Sequence, residues 1–162
     1  MNPAYTRDTG FGLDAVKASD RVATLNSGDA GAEAANNGTQ IDRLALTRHR
    51  LSAAICVPYK ATLQAGKTLT SLKVKLQHRS STSGAGSTWA DYTAALGGST
   101  GSVSKTTTGV GNDILQHNID CSGAKRYVRT VVTADFQATT TGSTLDIDAV
   151  VAVFGPGQEN PL

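Results

Sequence analysis

Residues 72–78, Leu-Lys-Val-Lys-Leu-Gln-His, alternate apolar and polar side chains without a break. A helix would scatter that pattern around its circumference. A strand sorts it, with Leu72, Val74, Leu76 and His78 on one face and Lys73, Lys75 and Gln77 on the other. The same period of two runs through Arg126–Phe136, where Val128, Thr130, Val132, Ala134 and Phe136 share a face. It appears again in Leu145–Phe154, where Leu145, Ile147, Ala149, Val151 and Val153 line up. The opposite face of that segment starts with Asp146 and Asp148 and turns apolar at Val150, Ala152 and Phe154. A strand apolar on both faces is expected to be covered on both, by a second layer or by another subunit. Further strands are predicted at Ile41–Leu46, Leu51–Val57 and Ile114–Asp120, with Pro58 marking an edge or a strand end because it cannot donate to a ladder.

Composition extends this reading to the whole chain. Of 162 residues, 17 are Gly, 21 Thr and 13 Ser, while Glu occurs twice, at Glu33 and Glu159. Strands and turns favour the first group and helical surfaces favour Glu, so the fold class is all-β. With no alternation of strand and helix patterns, the expected architecture is an antiparallel β-sandwich, jelly-roll or immunoglobulin-like, with an extended N-terminal arm. A chain of this size buries about 70% of its unfolded surface. Aromatic residues make up 5%, so Val, Leu, Ile and Ala must build the core. The expected division is an irregular arm over 1–38, with a short helix near Leu13–Val16 as its one local alternative, a sandwich over 39–155 and a loose tail over 156–162. The polar tracts Arg79–Thr88 and Gly97–Gly111 are expected to be long loops or exposed hairpin tips.

Charge and hydropathy remove several function classes. The net charge of +2 is far below that of a generic nucleic-acid binder, and only Tyr127 interleaves an aromatic ring with the basic residues. No stretch reaches the roughly 20 apolar residues of a membrane span, and the first ten residues lack the apolar core of a signal peptide. Neither nucleic acid nor membrane is an expected partner.

The motifs for chemistry are weak. Gly66-Lys67-Thr68 matches the end of a phosphate loop, but that motif needs a glycine where Ala61 stands, and a strand pattern follows instead of a helix. Gly84-Ala-Gly86 and Gly109-Val-Gly111 are products of glycine-rich composition. His49, His78 and His117 have no partners at catalytic or metal-ligand spacing. Cys56 and Cys121 are expected to be two buried thiols acting as small apolar side chains. Asp146 and Asp148 would face the same way about 7 Å apart, a separation open to a glycosidase. The apolar residue between them, Ile147, points the other way and does not raise either pKa, so a solvated face comes first, then salt bridges to Lys73 and Lys75, then calcium. The expectation is a non-enzymatic protein with no metal and no cofactor.

What remains is a set of contact candidates. Arg43, Arg48, His49 and Arg50 form one basic cluster, and Arg126 with Arg129 another. Arginine is favoured at interfaces because its planar fork pairs with carboxylates. Leu76-Gln77-His78-Arg79-Ser80, followed after a loop by Ser87-Thr88-Trp89-Ala90-Asp91-Tyr92, resembles structural proteins of tailed bacteriophages. In those, a strand ending Leu-Gln-His-Ser runs into an Asp-Gly-Ser-x-Trp-x-Asp loop. Asp120-Cys-Ser-Gly-Ala-Lys-Arg-Tyr-Val-Arg129 is similar to their Leu-Ser-Gly-Ala-Lys-Arg-Tyr-Val-Arg segment, and Ile41-Asp42-Arg43 fits as well. The likeness spans roughly residues 40–154, and Ala85-Gly86 stands where the pattern has Asp-Gly.

The resemblance implies a virion component, a capsid decoration or cement protein bound to the outside of the shell. It would be made in the bacterial host cytoplasm. Its expected partners are the major capsid protein and neighbouring copies of itself, in a homotrimer, with the N-terminal arm reaching onto neighbouring subunits. The expected contact residues are Tyr5, Phe11, Arg43, Arg48, Arg50, Trp89, Tyr92, Arg126 and Arg129. The alternative is a tail, fibre or baseplate component that binds glycans through Trp89 and Tyr92.

Overall fold

A computed structural model of the chain describes residues 14–19, 22–26, 34–46, 51–93, 102–108, 110–136 and 142–155. Tyr5, Phe11, Arg48 and Arg50, together with the expected C-terminal tail, lie outside the described residues. Among the described residues there are twelve strands and no helix: β1 (Asp14–Lys17), β2 (Val22–Asn26), β3 (Ala34–Asn37), β4 (Ile41–Asp42), β5 (Ser52–Thr62), β6 (Thr68–Arg79), β7 (Ala90–Asp91), β8 (Ser102–Thr108), β9 (Val110–Asp120), β10 (Tyr127–Phe136), β11 (Thr144–Ile147) and β12 (Val151–Gly155). They form two six-stranded sheets in which every pairing is antiparallel.

The first sheet is built on β5. Strand β9 runs along one edge of β5 for its full length, so β12 and β11 share the other edge end to end. Strand β1 then pairs with β12, and β2 with β11. The second sheet is built on the β6–β10 pair; β8 and β7 share the free edge of β6, and β3 and β4 share that of β10. The sandwich core is a single apolar cluster drawn from both sheets, with Ile55, Val57, Leu145, Ile147 and Phe154 on one side and Leu69, Leu72, Val74, Leu76 and Val128 on the other.

Period-two patterning produces most of this. In β5 the odd-numbered residues from Ala53 to Ala61 are buried and the even-numbered ones face outward. In β6, Leu72, Val74 and Leu76 point inward as their alternation requires, and Lys73 is exposed. Leu69 joins them although it lies three residues from Leu72. The register against both β10 and β8 slips between Leu69 and Leu72, and that one-residue bulge returns Leu69 to the core face.

A second bulge corrects the expectation for 145–154, which is two strands and not one. The register against β5 runs through Ile147 opposite Tyr59 and resumes with Val151 opposite Cys56, so three residues on one side face two on the other. The buried set therefore changes parity, from Leu145 and Ile147 to Val150, Ala152 and Phe154. Pro58 lies at this point. The Asp148 N–H donates to Pro58 O (3.1 Å), so that side of Pro58 faces the break, where its ring supplies no N–H. Pro58 is thus neither at an edge nor at a strand end; it sits mid-strand, opposite an interruption in its neighbour.

Residues 1–38, expected to be irregular, contribute three of the strands. Asp14–Lys17 is a strand where a helix was the alternative. These segments are short and lack a strong pattern of their own, and existing edges hold them: β1 on β12, β2 on β11, β3 on β10. Part of the tract 97–111 is likewise strand, since β8 pairs with β6 and β9 begins at Val110. The Gly66-Lys67-Thr68 turn carries the chain from the first sheet to the second, closed by Lys67 N–H to Gln64 O (3.0 Å), with Gly66 at a φ of 72°.

Candidate interaction site

The segments around Ile41–Arg43, Leu76–Tyr92 and Asp120–Arg129 are separate parts of the chain that meet at one end of the second sheet. The β6–β10 register places Gln77 opposite Arg129 and Arg79 opposite Tyr127, while β7 places Asp91 opposite Gln77. The connection between β6 and β7 is tied down. Ser80 and Ser81 N–H both donate to Gly86 O (3.2 Å each), and Ser87 Oγ donates to Gly84 O (2.8 Å). Gly86 has a φ of 86°, which glycine alone adopts without strain. The closed loop delivers Trp89 to the sheet surface.

There Trp89 meets two arginines. The Arg79 guanidinium carbon lies 4.4 Å from the centre of the Trp89 ring system and that of Arg129 4.6 Å. Arg79 donates to Ser87 O (3.0 Å) and to Gln40 Oε1. Arg129 donates twice to Gln77 Oε1, from Nε (2.9 Å) and Nη2 (2.8 Å). Gln77 Nε2 in turn donates to Asp91 Oδ1 (2.7 Å), and Lys75 Nζ binds Asp91 Oδ2 (2.9 Å). The Gln77 and Lys75 hydrogen bonds hold the Asp91 carboxyl below the usual carboxylate range.

The other expected contact residues divide. Arg126 is exposed and forks onto Asp42, from Nε to Oδ1 (3.0 Å) and from Nη2 to Oδ2 (2.7 Å), with its guanidinium 4.8 Å from the Tyr127 ring. Arg43 and Tyr92 sit inside the protein, 2% and 4% exposed. Arg43 Nη1 donates to the carbonyls of Ala124 and Lys125, and Tyr92 Oη donates to Asp120 O (2.7 Å). Both side chains brace the turn between β9 and β10 and offer no surface to a partner. Sequence patterning missed Arg79, Gln77 and Gln40, because they join the site through non-local pairing and not through any spacing of their own.

His78 packs against the Tyr92 ring (5.2 Å between centres), and its Nδ1 accepts from Lys125 N–H (3.3 Å). Burial, then the charges of Lys125 and Arg43, lower its pKa below the ordinary 6.5. A histidine whose folded pKa is depressed favours folding in its neutral form. Its contribution is complete above its unfolded pKa and is lost as the pH falls through its folded value. Melting temperature is expected to fall between pH 7.5 and 5, and less steeply in His78→Asn, which keeps an acceptor near Nδ1. Equal slopes in the two proteins would show that His78 does not carry the effect.

Asp146 lies opposite Lys60 in the β11–β5 register, whereas Lys73 and Lys75, its expected salt-bridge partners, are on the other sheet. Among the described residues no three His, Cys, Asp or Glu side chains group as metal ligands. Cys56 and Cys121 are free thiols with different surroundings. Cys121 is fully buried, and burial pushes its thiol up to about 12. Cys56 is half-buried and faces outward from β5. A thiol reagent is expected to label Cys56 in the native protein and Cys121 only after unfolding; equal rates would contradict this placement.

No family model matches the chain, and no curated protein matches it. Among solved structures, similar chains occur in infectious bursal disease virus. For the Gx strain the identity is 12% and the TM-score 0.48, over 92% of this chain and 34% of that one. For the Gt strain the values are 11% and 0.47, over 92% and 33%. This chain spans about a third of the length of those chains.

Proposed function

We propose that this chain is a non-enzymatic structural protein of a tailed-phage particle, a decoration or cement protein that binds the outside of the shell. The observation that carries the reading is the outer face of the first sheet. Ala54, Cys56 and Pro58 of β5, Val151 and Val153 of β12 and Ile114 of β9 all point away from the core. The register sets them side by side, with Val151 opposite Cys56, Val153 opposite Ala54 and Ile114 opposite Pro58. A sheet with one face in water normally carries polar residues there. On β9 the patch holds only Ile114, with exposed Gln116 and Asn118 opposite Cys56 and Ala54. It is thus an apolar strip along β5 and β12 with a polar rim, a surface suited to burial against another protein.

The clustered phage-like residues support the same role. Most of their polar groups are engaged by other groups of the chain, so they stiffen the sheet and display Trp89. The partners in this reading are the major capsid protein and neighbouring copies, in a trimer. Adding the purified chain to shells that lack it, and imaging them, tests the proposal. Hundreds of copies at regular outside positions are expected. Occupancy confined to a few copies at the tail would favour the fibre or baseplate reading, and no binding would overturn both.

A further inference from the structure

Two positive charges share one indole at the end of the second sheet, and among the described residues neither meets a carboxylate. Arg79 is held by Gln40 Oε1 and a backbone carbonyl, and Arg129 by Gln77 Oε1. The two acids of this region are engaged elsewhere, Asp91 by Lys75 and Asp42 by Arg126. Burial, and then the charge of Arg79, lower the pKa of Arg129 from its ordinary value, as expected for two cations held close without an anion. Neutral acceptors fix the direction of each fork without cancelling its charge. Arg129 Nη1 has no acceptor among the described residues. Arg79 Nε has none either, but it is buried and out of a partner's reach.

We infer that Arg79, Trp89 and Arg129 form a docking site for carboxylate side chains of a partner protein. Three properties favour that occupant. Guanidinium edges match carboxylates in plane and spacing; the Nε–Nη2 edge of Arg129 holds Gln77, which leaves its Nη1–Nη2 edge, already oriented, so little side-chain entropy remains to be lost on binding. The indole floor is a half-buried apolar surface that excludes water from one side of each ion pair. Tryptophan and arginine are also the side chains that most often dominate binding at protein interfaces. A nucleic-acid strand fits less well, since it needs a longer basic track and a series of stacking rings, and this site has one ring. The inference does not depend on the shell-binding reading, and it is tested on the purified chain alone.

Trp89 is the single tryptophan of the chain, so its fluorescence reports on the site directly. The full-length protein is titrated with poly-L-glutamate at low ionic strength, with parallel arms of inorganic phosphate and oligouridylate. A saturable change with polyglutamate is expected, weakened by added salt and weakened at least tenfold by Arg79→Gln and by Arg129→Gln. Arg129→Lys keeps the charge and loses the fork, and it should recover only part of the response. This variant also serves where a glutamine variant fails to fold. Lys60→Gln makes the same charge change on the first sheet and should leave the curve unmoved. The inference is overturned by silence of the wild-type protein, by an equal effect of Lys60→Gln, or by full recovery in Arg129→Lys. A response that phosphate or oligouridylate reproduces at equal charge would overturn it too.

Discussion

Gly38→Val is expected to destabilise the fold by about 3 kcal/mol, the upper range for forced overpacking, and to lower the melting temperature by roughly 6–12 °C. Gly38 lies where the two sheets are joined. Its N–H donates to Thr130 O (2.8 Å) in the second sheet, and the next N–H, of Thr39, donates to Ala18 O (2.7 Å) at the end of β1 in the first. A Cβ on residue 38 would sit 2.4 Å from Ala18 O, 2.6 Å from Thr130 Oγ1 and 3.0 Å from Thr130 O. Two of these atoms are backbone oxygens that accept the joining hydrogen bonds, so space can be made only by breaking a bond or separating the sheets. The cause is close approach, since Gly38 is not among the glycines at positive φ. Gly38→Ala should show most of the loss, because the Cβ alone meets all three atoms. Adding Thr130→Ala removes one of the three and should restore only a fraction. Gly38→Ala within 0.5 kcal/mol of wild type in denaturant melts, or complete rescue by Thr130→Ala, would refute the crowding argument.

The same junction shows what a sequence pattern can and cannot report. Alternation records which side chains meet water, so β6 was legible from its period of two, whereas Leu51–Val57 of β5 was legible only as an apolar run. It does not record which strands lie beside each other. Strands β1 and β3 are held by the edges of β12 and β10, and their own residues Asp14–Lys17 and Ala34–Asn37 carry no pattern that distinguishes them from loop. Strand β8, Ser-Val-Ser-Lys-Thr-Thr-Thr, has good strand formers but no apolar stripe, so its pairing with β6 is equally silent. The interaction site suffers most. Trp89, Arg126 and Arg129 stood out as residue types, but the partnership of Arg79 with Arg129 depends on the β6–β10 register, fixed by contacts about fifty residues apart in the chain. Arg43 and Tyr92 stood out for the same reason and are interior, because composition does not say which polar side chains a turn will consume.

The parity change between β11 and β12 yields the other large effect, a pair of adjacent substitutions with opposite consequences. An uninterrupted strand over 145–154 would put Val153 on the same face as Leu145 and Ile147. The bulge opposite Pro58 instead turns Val153 outward and Phe154 inward, where it is fully buried. Phe154→Ala is therefore expected to cost about 3–5 kcal/mol, through lost burial and the cavity left between the sheets. Val153→Lys is expected to cost no more than about 1 kcal/mol, because a lysine stem can lie along the sheet and carry its charge to water. If the chain binds shells as proposed, the effect of Val153→Lys should appear in assembly. Val153 faces Ala54 and Ala15 on its two neighbours, at the middle of the apolar outer face, and an ammonium group there would be buried without a partner. Shell decoration should fall at least a hundredfold while the melting curve barely moves, and Cys56 on the same face should become protected from thiol reagents only when the wild-type protein is bound. If Val153→Lys unfolds the chain as Phe154→Ala does, the inversion of faces is wrong. If it folds and decorates shells as well as wild type, the outer face of the first sheet is not the surface that binds.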